Sequence, residues 1–330
     1  MSSSADSSTT SIDPTRTQTL RERYSSRLRG GYGAINAQLR KDISERDVFG
    51  LDENGNEQLA VPTNPPNAGG NFDPEPLAVS GDTRLSRQVE AFITWLHRQQ
   101  RRGVLGPISR QYNSWLVEAY NRGVTQAGTD LRQLGVEPAD VPSSRRNQTI
   151  DEATARHYTN LEGVIGAVET ETSKELNEAL IAGVAAYLLL RRLTDRIKKI
   201  GKTRASTHAH SAVVRTYNEG LLDRYEASGV QRVGAEIELE VSDPSRLSPE
   251  DTTSSSRESK REKIVRWLTA GDLKVCPECR ALQGRTWPIS EIRAGKAPLP
   301  VRDTHYRCRC RLVPDIRDAT TMPRTYDKRR

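Results

Sequence analysis

A mainly α chain with a small α+β domain towards its C-terminal end is the fold class this sequence predicts. Three observations lead there. Apolar residues recur at helical spacing through most of residues 20–193, punctuated by Gly and Pro. Residues 235–241 and 263–268 carry strand patterns instead. All four cysteines then fall within the 35 positions from Cys276 to Cys310, which marks a local module rather than a scatter. The expected segments are an arm (1–19), a basic helix plus extended linker (20–81), a helical domain (82–204), an α+β domain (205–316) and a basic tail (317–330).

The first 18 residues are rich in Ser, Thr and Asp and lack periodicity, which predicts a disordered arm. Tyr24, Leu28, Ile35, Leu39 and Ile43 form a near-helical stripe, with Arg21, Arg23, Arg27, Arg29, Arg40 and Lys41 around it. Gly30-Gly31 and Gly33 read as interruptions. Residues 50–81 are rich in Gly, Pro and Asn and read as a linker or extended arm. A helix is expected from Asp82 to about Arg102, on the stripe Leu85, Val89, Phe92, Ile93 and Leu96. A second is expected over about 107–134, with Gly135 as its C-cap and the two packed antiparallel. Trp95 and Trp115 read as core anchors.

Residues 138–147, with Arg145-Arg146, read as a loop. Helix resumes near Asp151 and runs, with a break, to about Leu193. The stretch Ala179–Leu190 is apolar almost all round and is expected at the centre of the core. Twelve residues are too few for a bilayer, which takes roughly 20. The next run is basic: Arg191, Arg192, Arg196, Lys198, Lys199, Lys202 and Arg204 against the single acid Asp195. Such a run is either a solvated helix face or an electropositive strip for nucleic acid or an acidic neighbour. His208 and His210 sit two apart, on different helix faces, which argues against a shared metal. Further on, Ala235, Ile237, Leu239 and Val241 alternate with Glu236, Glu238 and Glu240, the pattern of a half-exposed strand. With residues 263–268 it predicts a β-hairpin around a polar tip at 242–261.

At 330 residues there is room for two domains. A net charge of +7, from 50 basic and 43 acidic residues, permits contact with nucleic acid without requiring it. Only 35% of residues are hydrophobic, so part of the chain is expected outside any core. The first 19 residues have no apolar run of the signal-peptide type. An intracellular, reducing place of synthesis is therefore expected, which favours thiolate–metal over disulfide chemistry.

Cys276 and Cys279 have C-x-x-C spacing, which suits a turn aiming two sulfurs at one point. Cys308 and Cys310 have C-x-C spacing, which on a strand puts both on one face. His305 lies just ahead of them. Zinc takes four such donors in a tetrahedron, so Cys276, Cys279, His305, Cys308 and Cys310 form a zinc-knuckle-like candidate set for structural Zn²⁺. Four cysteines are the simplest choice, and His305 in place of one member of the C-x-C pair is the close alternative. Two small disulfides are the competing reading. No His is followed two residues later by Glu, which argues against zinc-deaminase chemistry. A Walker A loop and a nucleophile elbow are also absent from the sequence.

The same residues carry a family likeness. Trp267-Leu268-Thr269-Ala270-Gly271-Asp272, then Val275-Cys276-Pro277-Glu278-Cys279, Leu282-Gln283-Gly284-Arg285-Thr286-Trp287-Pro288 and the H-x-x-C-R-C-x-L-V-P run from His305 to Pro314 follow in order. Together they resemble the C-terminal domain of phage Mu protein F-like head-morphogenesis, or minor capsid, proteins. The segment from Arg204 to Gly220 is similar to that family's upstream helix. His210-Ser211-Ala212 stands where R-T-E is usual, and His305-Tyr306-Arg307 begins the run where H-P-N is usual. The likeness covers about residues 180–316. It implies a structural protein of a tailed virus, made in the host cytoplasm. In the virion it would sit at the capsid interior or portal vertex and assist head assembly, DNA packaging or retention. The implied partners are the portal protein, the major capsid protein and packaged double-stranded DNA, with no membrane. The alternatives are a zinc-dependent nuclease using His305 with Asp303 or Asp272, or a zinc-ribbon DNA-binding protein.

Overall fold

Amphipathic stripes of the kind read above wind into helices that carry most of the described residues. The computed structural model describes residues 13–46, 48–49, 80–106, 108–109, 111–229, 264–268, 275–283 and 285–314, with 80–84 and 264–268 described as backbone only. The elements in order are α1 (Gln18–Ser44), α2 (Ser80–Gln100), α3 (Ser114–Gln133), α4 (Ser143–Ile181), α5 (Ala186–Ile197), α6 (Thr203–Ala227), β1 (Ile264–Leu268), α7 (Pro277–Leu282), β2 (Thr286–Pro288), α8 (Ile289–Arg293) and β3 (Arg311–Pro314). Single π turns extend α2 over Arg101–Leu105 and join α5 to α6 over Lys198–Lys202. The mainly α class with a small α+β part is what the structure shows.

Two compact units share these elements: residues 19–115 with 151–212, and residues 1–18 with 116–150 and 213–330. Both are discontinuous in sequence, whereas consecutive segments were expected.

The first unit is helical. The predicted stripe on α1, Tyr24, Leu28, Ile35, Leu39 and Ile43, is buried, and Leu20 and Tyr32 are buried with it. The glycines on α1 do not break it, contrary to expectation. A Cβ on Gly31 would strike the backbone of Gly103 in the π turn after α2, so glycine is needed for close approach. Gly201 works in the same way: its π turn lies against the ring of Tyr32 without room for a Cβ. Trp95 donates its indole N–H to Asp42 Oδ2 (2.9 Å), and Trp115 stacks on Tyr24 with ring centroids 5.4 Å apart.

Three further expectations are corrected. The second helix starts at Ser114, where Asn113 Oδ1 accepts from the N–H of Trp115 (3.1 Å). Arg145 and Arg146 lie inside α4, which begins at Ser143. The apolar run 179–190 is not one buried helix. It turns at Gly183 (φ +63°) and leaves Ile181 (65%), Tyr187 (72%) and Leu188 (38%) exposed. Gly135 ends α3 as predicted, with φ +72° and its N–H donated to Arg132.

The second unit packs the C-terminal part of α6 and part of α3 against the cysteine module. Gly123 on α3 and Gly220 on α6 bring the two backbones together, since a Cβ on either would strike the other helix. β1 is the middle of a three-stranded antiparallel sheet in the order β2-β1-β3, with Val265 opposite Trp287 and Trp267 opposite Leu312. The predicted strand at 263–268 is thus present. The predicted strand at 235–241, the hairpin tip, the linker over most of 50–81, the N-terminal arm to residue 12 and the tail from 315 lie outside the described residues.

Candidate metal centre

The cysteine module starts with Cys276 capping a short helix. Its Sγ accepts from the N–H of Cys279 (3.3 Å), and Pro277 takes the first helical position, where its missing N–H costs nothing. This one turn carries the C-x-x-C pair. The second pair arrives differently from the expectation. Cys308 and Cys310 lie in irregular backbone just before β3, not on a strand. A local turn shapes it: the N–H of Cys308 donates to the His305 carbonyl (3.3 Å), the N–H of Cys310 lies 3.5 Å from Cys308 Sγ, and Arg307 adopts φ +67°.

The fold brings all five predicted donors together. Cys276, Cys279 and His305 form one triad and Cys279, Cys308 and Cys310 another, with the donor atoms of each triad within 4.8 Å of one another. Cys279 belongs to both. Its Sγ is 3.3 Å from His305 Nε2 and 3.7 Å from Cys308 Sγ. Four thiolates about 2.3 Å from a tetrahedral metal would stand roughly 3.8 Å apart, so these distances suit a bound ion. All four cysteines are free thiols, and Cys279, Cys308 and Cys310 are buried. The geometry therefore favours a metal cluster over the disulfide alternative.

The protonation states point the same way. His305 Nδ1 lies 2.7 Å from the carbonyl of Tyr306. A carbonyl only accepts, so the ring proton sits on Nδ1 and the Nε2 lone pair faces the sulfurs, as a metal-binding imidazole requires. The Cys308 thiol is pulled well below its ordinary pKa by hydrogen bonds from the side chains of Cys279 and Cys310, while Cys279, the donor, is pushed up.

Several tethers fix the module. Asn218 of α6 donates Nδ2–H to the Cys310 carbonyl (3.2 Å) and accepts from the N–H of Leu312 (2.9 Å). Arg311 forks onto Asp130 of α3 (2.8 and 3.3 Å), which also accepts from the Tyr225 hydroxyl (2.7 Å). Arg302 donates to the carbonyls of Ile292 and Ala297, both at 2.8 Å. Asp303 accepts from the N–H of Leu299 (2.8 Å) and from Arg302 (2.7 Å), so both contacts found for this carboxylate shape a turn. Asp272, the other carboxylate weighed for a nuclease, lies outside the described residues.

The second predicted site is the basic run. Arg191, Arg192, Arg196, Lys198, Lys199 and Arg204 are exposed and Lys202 is half-buried, while Leu193, Ile197 and Ile200 turn inward. Arg192 and Arg196 pair with Glu175 (3.6 and 3.1 Å), and Arg196 also approaches Glu171 (3.9 Å). Most of the strip is exposed, and its first half is partly neutralised by these pairs. His208 is half-buried, and His210 Nε2 lies 2.8 Å from Arg21 Nη1.

Sequence reasoning missed the polar hub at Asp223. This fully buried carboxylate accepts from Tyr120 (3.0 Å), Arg145 (2.8 Å), Thr149 (2.7 Å) and Arg293. Arg293 also bonds Glu226 (2.8 Å). Asp223, Glu226, Arg145 and Arg293 line an open cavity of about 450 Å³ with balanced charge. In the sequence Asp223 is one acid on a helix that also carries Glu219, Arg224 and Glu226, and nothing there names its partners. Compared with protein-family models, with curated proteins and with solved structures, the chain matches none.

Proposed function

We propose that this chain is a structural minor capsid protein of a tailed virus that assists head assembly, DNA packaging or retention. The observation that carries the reading is the pair of hydrogen bonds by which Asn218 donates to the Cys310 carbonyl and accepts from the Leu312 N–H. The two stretches similar to the head-morphogenesis family, the helix up to Gly220 and the cysteine runs, lie far apart in sequence, yet they build one core. Tyr217, Leu221, Leu222 and Tyr225 pack with Cys279, Cys308, Cys310 and Leu312. A likeness confined to short motifs would not require them to meet.

In this reading the ion is structural Zn²⁺, held by four donors drawn from Cys276, Cys279, His305, Cys308 and Cys310. Bound zinc supplies folding free energy rather than reactivity. The exposed basic run Arg191–Arg204 faces packaged DNA or an acidic neighbour, and the portal and major capsid proteins are the partners. The test is quantitative mass spectrometry of purified, nuclease-treated particles. A low, fixed copy number relative to portal is expected. Absence from particles that still assemble would overturn a virion role and bring the nuclease assay, with plasmid, Mg²⁺ and His305→Ala, to the front.

A further inference from the structure

Five donors converge where a tetrahedral ion accepts four, and their arrangement says which is in excess. Cys279 is the pivot, common to both triads. Cys276 caps the helix that carries it, and Cys308 lies 3.7 Å from its sulfur. These three are fixed by backbone on one side or burial on the other. The remaining two belong to different triads, Cys310 with Cys308 and His305 with Cys276. Cys310 is 2% exposed, and Asn218 holds its carbonyl on the core side. His305 is half-buried on the outer turn beside Tyr306, which is 62% exposed, and its Nε2 is already turned inward at 3.3 Å from Cys279.

We infer that the fourth position of the metal centre is shared: Cys310 fills it from the core and His305 from the outer turn. This rests on the metal reading above. Its consequence is mechanical. The turn at 303–307 can leave the ion while Cys310 keeps the tetrahedron closed. The strand that follows stays docked through Asn218 and Arg311 in either state. Zinc suits such an exchange because it has no ligand-field preference among thiolate and imidazole donors.

The test is the metal content of the full chain purified with Zn²⁺, for wild type, His305→Ala, Cys310→Ser and the double variant. One zinc per chain is expected in wild type and in each single variant, and none in the double. Replacing zinc with Co²⁺ adds a second readout. His305→Ala should keep four thiolates and Cys310→Ser three, so thiolate-to-cobalt charge-transfer absorption should be higher in His305→Ala by about a third. If Cys310→Ser does not fold, wild type and His305→Ala decide: a shared position predicts one zinc in each and a stronger charge-transfer band in His305→Ala, and equal bands would overturn it by showing that Cys310 alone fills the fourth position. A wild type with one zinc and a folded single variant with none would overturn the shared position and leave the metal reading standing. A wild type that takes up no metal would overturn both.

Discussion

Asn218 grips the chain on both sides of Arg311: it donates to the carbonyl of Cys310 and accepts from the N–H of Leu312, and none of its side chain is exposed. A third contact, to the Val214 carbonyl at 2.9 Å, fixes the amide on its own helix. Asn218→Ala would leave two buried backbone groups of the cysteine module unpaired. The expected cost is about 2–4 kcal/mol. Denaturant unfolding measures it, and hydrogen exchange should rise first over residues 308–313. Unchanged exchange there would show that the tether is unimportant.

The Asp223 hub gives the second prediction. Its carboxylate is buried between Arg145 and Arg293 and also takes two hydroxyl bonds. Asp223→Ala leaves the Tyr120 and Thr149 hydroxyls without this acceptor and the two guanidinium groups facing Glu226 in its place, and should cost about 2–4 kcal/mol. A double-mutant cycle with Arg293→Ala should return a coupling of at least about 1 kcal/mol. Additive effects would mean that the pair is held by packing alone.

His157 gives a pH dependence. It is buried, its Nε2 lies 2.7 Å from the Tyr24 hydroxyl, and desolvation, followed by the nearby His208 and Arg156, pushes its pKa down from 6.5 to about 3. The unfolded chain therefore binds a proton below pH 6.5 that the folded chain refuses. Stability from this group is full above pH 6.5 and falls by up to about 1.4 kcal/mol per pH unit between pH 6.5 and 3. Urea midpoints at pH 7, 5.5 and 4.5 should fall more steeply for wild type than for His157→Gln. Parallel lines would contradict this assignment.

Close helix approach is testable at Gly123. Its missing Cβ leaves room for the Tyr217 carbonyl of α6. Gly123→Ala gains helix propensity of roughly 1 kcal/mol, yet the collision with backbone should outweigh it, for a net loss of about 1–3 kcal/mol. Gly163, whose Cβ would meet nothing, is the control: Gly163→Ala should stabilise α4. Thermal unfolding of the two variants should shift in opposite directions.

Periodicity made the helices legible, and ligand chemistry made the five donors legible. Tyr24, Leu28, Ile35 and Leu39 announced their helix because its buried stripe faces a single core. The donors could be named because four cysteines and a His in two tight clusters match the donor types and spacings of a tetrahedral zinc site. What stayed hidden was closeness between distant segments. Gly31 looked like a helix breaker because the partner that needs its bare backbone, Gly103, is seventy-two residues away. Arg145 looked like loop because its partner Asp223 lies on another helix. The run 179–190 looked like core because composition shows apolarity but not the turn at Gly183 that leaves Tyr187 in solvent.

The most direct test is hydrogen exchange over residues 275–314, read beside zinc content, in wild type, in chelator-treated wild type and in Cys308→Ser. A metal-stapled module predicts one zinc per wild-type chain. It also predicts loss of protection across 275–314 in the other two samples, with α1, α2 and α4 still protected. Native-like protection over 275–314 in metal-free Cys308→Ser would contradict it, and the cysteine cluster would then be ordinary core packing.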